Sequence, residues 1–495
     1  MTARLWESRP TRASLLVLMF ASAGCATTLA EHHIDGSVAP GPGEPWKQPV
    51  GAAPSTSEVA ALAGPAPAGP PLPKAGETLS LAKLLDLALA NNPNTRAAYF
   101  NARAAAAALG SRSSAYYPAL RFDVSGGFAH QVLRGGSDSF SSWNAGPSLG
   151  LTWMLFDLGG RSADVDEARS ILVAANLAQN SVLQDTVLAV EQAYYQYLGA
   201  KALEEAAGAT LKEAETNLDA ANARHQAGVA TVADVLQAQT ALSQARLSLQ
   251  GYAGQAAALR GALASSLGLP ASLDVEVGKL PAQLEVKPLG TAVDALIAAA
   301  EARRPDLARA RALAEAAQHH ADSVQSRGLP SLGLTANLGR TYYSNSAAPH
   351  YGDAYGATLD IAVPLFDGFK DTYDLVEARE QARAAAAQAQ STEQQIILQV
   401  WSSYQALQTA ALQVQTARDL LQSASQSEAV VAGRYKAGAG SILDVLTAQS
   451  ALAQARGLDV QARAGWLLAV AQLSRDTGAL GLRPEANPTP GQKAP

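Results

Sequence analysis

Arg224-His225-Gln226-Ala227-Gly228, followed by Asp234-Val235-Leu236, Ala238-Gln239 and Ala241-Leu242-Ser243-Gln244-Ala245-Arg246, returns 210 positions later. The second version reads Arg434-Tyr435-Lys436-Ala437-Gly438, Asp444-Val445-Leu446, Ala448-Gln449 and Ala451-Leu452-Ala453-Gln454-Ala455-Arg456. The echo extends upstream at the same offset: Leu155-Phe156-Asp157 with Leu365-Phe366-Asp367, Glu167-Ala168-Arg169 with Glu377-Ala378-Arg379, and Tyr194 with Tyr404. Pro93 with Pro305 and Pro118 with Pro330 keep step at 212, so about two residues of length change separate early and late markers. One unit of roughly 200 residues is therefore written twice, too long for solenoid repeats of ~20 to 50 residues. A duplication of this size implies a quasi-symmetric object whose two copies stand side by side.

Within each copy the hydrophobic period changes from helical to alternating and back. Leu81, Leu84, Leu85, Ala88 and Leu89 fall on one helical face before Asn91-Asn92-Pro93, and a second Ala-rich helix runs to about Tyr116. From Pro118 the period becomes two: Leu120, Phe122, Val124 and Phe128 alternate with Arg121, Asp123, Ser125 and Gly127. After a Gly- and Ser-rich loop, Trp143, Ala145, Leu149, Leu151, Trp153 and Leu155 alternate with polar or small residues, which predicts a β-hairpin over about 118–156. The second copy predicts its counterpart over about 330–366: Leu332, Leu334, Ala336 and Leu338 alternate with Ser331, Gly333, Thr335 and Asn337, and after the loop Tyr355, Ala357, Leu359, Ile361 and Val363 alternate with Gly356, Thr358 and Asp360. Strands of about 10 to 13 residues can cross an outer membrane when tilted, and aromatics gather at their ends as in the girdles of membrane barrels. A soluble hairpin packed on one face would alternate in the same way. If the strands lie in lipid, four per chain leave open edges, and the chain must be an oligomer.

Each hairpin leads into a very long helical stretch, about 162–226 and 371–436, of roughly 90 to 100 Å at 1.5 Å per residue. The chain reverses at Ala227-Gly228 and Ala437-Gly438, and returning helices run to about Leu267 and Leu473. Such helices need lateral packing. Of the 495 residues, 48% are hydrophobic with Ala dominant, only 6% aromatic and 16% charged, which suits close helix-on-helix contact. The formal charge of -6 and the lack of a basic stripe exclude nucleic acid as a partner.

Arg4, Arg9 and Arg12 precede an apolar stretch from Ala13 to Phe20 and then Ala21-Ser22-Ala23-Gly24-Cys25, a secretory signal over 1–24. The small residues before Cys25, the only cysteine, resemble the lipobox of bacterial lipoproteins, with Ser22 where an apolar residue is usual. Ala21-Ser22-Ala23 also fits plain cleavage. In the lipoprotein reading a covalent lipid on Cys25 anchors the chain, and Ala26 resembles the outer-membrane sorting pattern. Residues 25–77, rich in Pro, Ala and Gly, read as an extended tether, 78–268 and 291–482 as the two repeats, 269–290 as their linker and 483–495 as a disordered tail.

Three signals imitate chemistry. Gly146-Pro147-Ser148-Leu149-Gly150 fits the nucleophile elbow, but that motif needs a strand-to-helix turn and the alternation here continues to Phe156. His32-His33 and His319-His320 suggest metal handling, yet adjacent histidines diverge on a helix and no Cys or Glu partner has ligand spacing. Three Met residues give no case for a thioether-lined copper duct. No catalytic residue, metal site or cofactor is expected.

The ordered, twice-occurring markers from about Leu79 to Leu482 resemble the TolC-like outer-membrane efflux ducts. That resemblance implies a mainly α chain with a membrane β-barrel: three copies give four strands each to a twelve-stranded barrel, continued by a long periplasmic α-helical tunnel. It also implies a periplasmic adaptor, an inner-membrane pump and contact with outer-membrane lipid. By carry-over, the hairpin tips at Arg224, Gly228, Arg434 and Gly438 meet the adaptor, and Asp444 forms a threefold ring at the tunnel entrance. Tyr435 and Asp234 match positions whose hydrogen bonds hold the entrance closed in relatives. Thr447 replaces a second aspartate of some relatives, and Gly440 a basic latch residue. Three converging carboxylates would repel, raising their pKa and welcoming a cation; each Asp equally fits an ordinary helix N-terminal cap. The expected function is a passive exit duct for small molecules, with a type I protein secretion duct and a non-conducting lipid-anchored strut as the alternatives.

Overall fold

A computed structural model describes residues 37–47, 78–132, 139–286, 292–345 and 348–479. The signal, Cys25, His32-His33 and the tail lie outside the described residues. The elements run β1 (Thr78–Leu79), α1 (Leu81–Asn91), α2 (Pro93–Ser113), β2 (Ala119–Val132), β3 (Ser139–Phe156), α3 (Gly160–Gln226) and α4 (Val232–Ser266). The second copy follows with β4 (Glu276–Val277), α5 (Val293–Arg303), α6 (Pro305–Arg327), β5 (Ser331–Asn345), β6 (Ala348–Ala362), α7 (Lys370–Lys436) and α8 (Ile442–Asp476). Two compact units are distinguished. One contains Asn101–Asn176 and Ala308–Gln390; the other contains Leu177–Leu307, the described residues of Ala39–Phe100 and those from Ser391 onward.

The first unit holds a four-stranded antiparallel sheet in the order β2-β3-β5-β6. Its strands have 14, 18, 15 and 15 residues, longer than the alternation alone indicates. Polar Gly- and Ser-containing ends such as Ser125–Gln131 stay in the ladder, because backbone pairing does not require an apolar side chain. Register aligns Phe122 with Leu149, Leu149 with Leu338 and Leu338 with Tyr355, so every strand adds to one apolar face. Val124 is 72% exposed, Ile361 72% and Tyr355 84%. The opposite face is polar: Arg121 Nε donates to Asp123 Oδ1 at 3.0 Å, and Asn144, Ser148, Thr335, Asn337 and Asp360 share that side by register.

Chain entry into α3 is fixed by Arg161. Its guanidinium donates to the carbonyls of Ala115 (3.2 Å), Met154 (2.6 Å) and Leu155 (3.0 Å) and lies 5.0 Å from the Tyr116 ring centroid. Asp157 Oδ2 accepts from the Arg161 backbone N–H at 2.7 Å, and its repeat mate Asp367 Oδ2 accepts from Asp371 N–H at 2.6 Å. Both carboxylates thus satisfy first-turn amides that the helix leaves open.

The second unit shows why the chain is Ala-rich. Buried positions on α3 fall at Gln179, Leu183, Thr186, Val190, Tyr197, Ala200, Ala207, Ala214 and Ala221; on α7 they fall at Ile396, Val400, Ser403, Leu407, Ala410, Val414, Ala417 and Ala424. Steps of three, four and seven keep these residues in heptad register, the pattern of left-handed supercoiling. Corresponding seams use corresponding residues. Ala214 packs with Leu242 and Ala245 beside Leu211, and Ala424 packs with Leu452 and Ala455 beside Leu421, all at the 210-residue offset. Small seam residues let helix axes approach closely, so the weakly charged composition follows from the packing.

Two features of this unit lie outside the periodic pattern. β1 pairs in parallel with β4, Thr78 opposite Glu276 and Leu79 opposite Val277, within a cluster that buries Leu84, Leu263 and Val275. Part of the expected tether is also packed. Gln179 Nε2 donates to the carbonyls of Gly41 (3.1 Å) and Glu44 (3.2 Å), and Asn180 exchanges two backbone bonds with Trp46 at 2.7 and 2.9 Å. The amide side chains of α3 supply partners that Pro- and Gly-rich backbone cannot make for itself.

Candidate functional site

The tips of the two helical hairpins are built alike. Gly228 (φ +75°) and Gly438 (φ +77°) take the left-handed conformation, where a Cβ is penalised. Gly228 N–H donates to His225 O and Val229 N–H to Arg224 O, both at 2.9 Å; Gly438 and Ala439 repeat this toward Tyr435 (3.1 Å) and Arg434 (2.9 Å). These are Schellman closures, which satisfy the last carbonyls of α3 and α7.

Four residues on, each returning helix starts with a capping box. Thr231 and Ser441 are the N-caps, and Asp234 and Asp444 the third helical residues. Asp234 Oδ2 accepts from Thr231 N–H (2.7 Å) and from its hydroxyl (2.9 Å); Asp444 Oδ2 accepts from Ser441 N–H at 3.2 Å. The Ser441 hydroxyl, then its backbone N–H, hold the Asp444 carboxyl below the usual carboxylate range, and the Arg434 charge adds to this. Within one chain the direction is therefore opposite to that of a repelling ring. Thr231 and Ser441 were not among the expected site residues, although the Thr-x-x-Asp and Ser-x-x-Asp spacing is a readable helix-start signal.

Arg224 and Tyr435, from different hairpins, come together. The guanidinium sits 4.1 Å from the Tyr435 ring centroid and donates to Tyr435 O (2.8 Å) and Lys436 O (3.4 Å). Its repeat mate Arg434 stays within its own tip, donating to Ala439 O at 3.3 Å. Asp234 is engaged with Thr231 and makes no hydrogen bond to Tyr435. Val229, Val232, Leu236 and Leu443 are exposed around the tips.

The chemistry-like motifs resolve as structure. Gly146 to Gly150 lie inside β3 with no strand-to-helix turn. His319 faces Glu315 at 3.8 Å and His320 faces Glu167 at 3.1 Å, as helix-surface pairs. Among the described residues no group of three or more His, Cys, Asp or Glu side chains could hold a metal ion, and no helix is long and apolar enough to cross a membrane.

Residues 84–269 and 296–479 match the family model described as outer membrane efflux protein, one match per repeat. Protein CyaE of Bordetella pertussis is 29% identical over 423 residues, covering 83% of this chain and 88% of that protein. The probable efflux pump outer membrane protein TtgC of Pseudomonas putida is 29% identical over 391 residues, covering 76% and 78%. Among solved structures, the outer-membrane channel OprN superposes with a TM-score of 0.73 at 21% identity, over 82% of this chain and 91% of that one. The outer membrane protein VceC from Vibrio cholerae gives 0.69 at 21%, over 80% and 96%. The fold is thus that of the outer-membrane channels, a barrel sheet joined to long helical hairpins. The chain belongs to the outer membrane efflux protein family, an exit duct of the outer membrane with its helices in the periplasm, and not an enzyme.

Proposed function

We propose that three copies of this chain close a twelve-stranded barrel and a common helical tunnel, which receives small molecules from an inner-membrane pump through a periplasmic adaptor. One observation carries the reading: the sheet exposes a whole apolar face, while β2 and β6 have no partner along their outer edges among the described strands. In lipid an unpaired edge leaves its amides and carbonyls unsatisfied at several kcal/mol each, so other copies must supply the pairing. Four strands fall short of the eight of the smallest membrane barrels, and threefold assembly reaches twelve. Small-molecule cargo is supported by relatives named as efflux pump outer membrane proteins.

In this assembly the six hairpin tips form the entrance and Asp444 supplies its acidic ring. The cap on Ser441 fixes the carboxylate in place, and threefold repulsion acts against the downward shift seen in one chain. Single-channel recording of the purified full-length protein tests the reading. A small resting conductance blocked by divalent cations is expected, rising several-fold in Asp444→Ala; correctly inserted protein that carries no current would overturn the duct.

Cys25 is proposed as the lipid attachment site, on the sequence of the leader alone. Cys25→Ala should lose palmitate labelling while still assembling a barrel, since the strands carry their own apolar face. Labelling that persists in this variant rules the anchor out.

A further inference from the structure

Where the strands meet the helices, the first unit holds a cavity of about 540 Å³, open to the surface and within the range that takes small ligands. Asp157 and Asp164 line it from the start of α3, Ser326 and Arg327 from the end of α6, and Leu329 and Val363 from beside the strand ends. We propose that this cavity binds the headgroup of a zwitterionic phospholipid of the periplasmic leaflet, one per chain, with Arg327 on the phosphate and the two carboxylates toward the ammonium. Its polar groups are only partly used within the chain. Asp157 Oδ2 accepts from the Arg161 backbone N–H, and Asp164 Oδ1 accepts from the Ser323 hydroxyl, which leaves the second oxygen of each. Arg161, the other cation in the wall, is committed to the carbonyls of Ala115, Met154 and Leu155. Arg327 is exposed and makes no hydrogen bond or ion pair among the described residues.

Charges of both signs in one cavity match a zwitterion better than a simple anion. The apolar rim says that the ligand has chains. Val363 keeps the parity of Leu359 and Ile361 on the outward face, and all three are exposed, as is Leu329. Acyl chains can therefore lie along the strands while the headgroup turns into the cavity. α3 and α6 adjoin the central strands β3 and β5, away from the outer edge of β2 that another copy must pair. The duplication separates scaffold from binding group. Asp367 and Asp374 match Asp157 and Asp164, and Ser111 and Ser114 match Ser323 and Ser326, but Ala115 stands where the second copy has Arg327. The fold itself does not call for a cation there.

Native mass spectrometry of the detergent-purified full-length protein, titrated with palmitoyl-oleoyl phosphatidylethanolamine, tests the site. Saturable binding of one lipid per chain is expected, weakened about ten-fold in Arg327→Ala, because a guanidinium fork on a phosphate is a charge-assisted, bidentate contact. Arg327→Lys should fall in between, since it keeps the favourable charge at the α6 C-terminus but loses the fork. Arg309→Ala, an exposed position five turns earlier on α6, should bind like wild type. Phosphatidylglycerol, which has no ammonium, should bind several-fold more weakly, and so should chain-free glycerophosphoethanolamine. Unsaturable binding, or binding equal in wild type and Arg327→Ala, overturns the site. Equal binding of the two lipids overturns the role of the carboxylates, and inorganic phosphate that competes as well as the lipid overturns the lipid reading. Single-channel conductance of the same preparations keeps the two proposals apart: a wild type that conducts without saturable lipid binding loses this site and keeps the duct.

Discussion

Arg304→Ala should cost the helical unit about 3 to 5 kcal/mol, read as a fall in the denaturant midpoint followed by helical circular dichroism in detergent. Arg304 is 3% exposed and Asp476 2%. The guanidinium donates through Nε to Asp306 Oδ1 at 3.0 Å, through its terminal nitrogens to Asp306 Oδ2 and Gln399 Oε1 (2.7 Å), and lies 3.9 Å from Asp476 Oδ1. Arg475 extends the network to Asp185 at 2.7 Å and to Asp476 at 3.6 Å. Removing Arg304 takes the bidentate partner from the half-buried Asp306 and one of two cations from Asp476, which keeps Gln472 and Arg475, and an ion pair broken on one side costs more than the intact pair contributes.

Asp306 gives this prediction a pH signature. Burial pushes its carboxyl up, but the hydrogen bonds and charge of Arg304, with the charge of Arg475, outweigh this and hold it below the usual range. A carboxyl depressed in the folded state stabilises fully above its unfolded value of about 3.9, and that contribution is lost as pH falls through the folded value. Wild type should therefore lose stability below about pH 4, and Arg304→Ala should show a weaker dependence there. The first repeat holds a neutral version of the same junction: Asn92 stands where the second has Arg304, and Ser266 where it has Asp476, joined by Asn92 Nδ2 to Ser266 O at 3.2 Å. Arg304→Asn combined with Asp476→Ser should recover most of the loss, because the two nearly fully buried charges leave together while the Asp306 side chain, 29% exposed, keeps contact with water. A double variant as unstable as Arg304→Ala would show that the site depends on charge and not on satisfied hydrogen bonding.

The elements that announce themselves in the sequence are those whose side chains repeat with the backbone. Alternation from Leu120 to Phe128 identifies a strand because each apolar residue lands on one face, and the matching Ala and Leu of 238–245 and 448–455 identify paired helix seams. Tips are legible because Gly228 and Gly438 need a conformation other residues resist. Contacts set by the rotation of one helix against another are not legible. Arg224 and Arg434 sit at matching positions, yet only Arg224 crosses to the other hairpin, and local differences such as His225 against Tyr435 and Gln226 against Lys436 do not say which of the two will cross. The buried Arg304 follows the same logic: Arg before Pro reads as a solvated helix end until Asp476 and Gln399 are brought to it from 172 and 95 residues away.

Gly146→Ala should break the junction between β3 and β5 and cost about 3 kcal/mol or more, seen as lost resistance of the assembled protein to denaturing detergent. The ladder between these strands is interrupted at this point: Ala145 faces Tyr342 and Ser148 faces Gly339, and Gly146 and Pro147 between them are unpaired with β5. Pro147 has no N–H to give, so the strands meet without a ladder bond there. A Cβ on Gly146 would fall 1.8 Å from the Arg340 carbonyl oxygen, 2.8 Å from its carbon and 2.9 Å from the Thr341 Cα. All three are backbone atoms, so no side chain can swing away and the strands must part. Gly150, on the same face of the same strand, is the control: the nearest atom to its added Cβ is 4.0 Å away. Gly150→Ala should assemble like wild type, and a strand that tolerates Ala equally at both positions would show that β3 and β5 can separate at Pro147 without loss of the barrel.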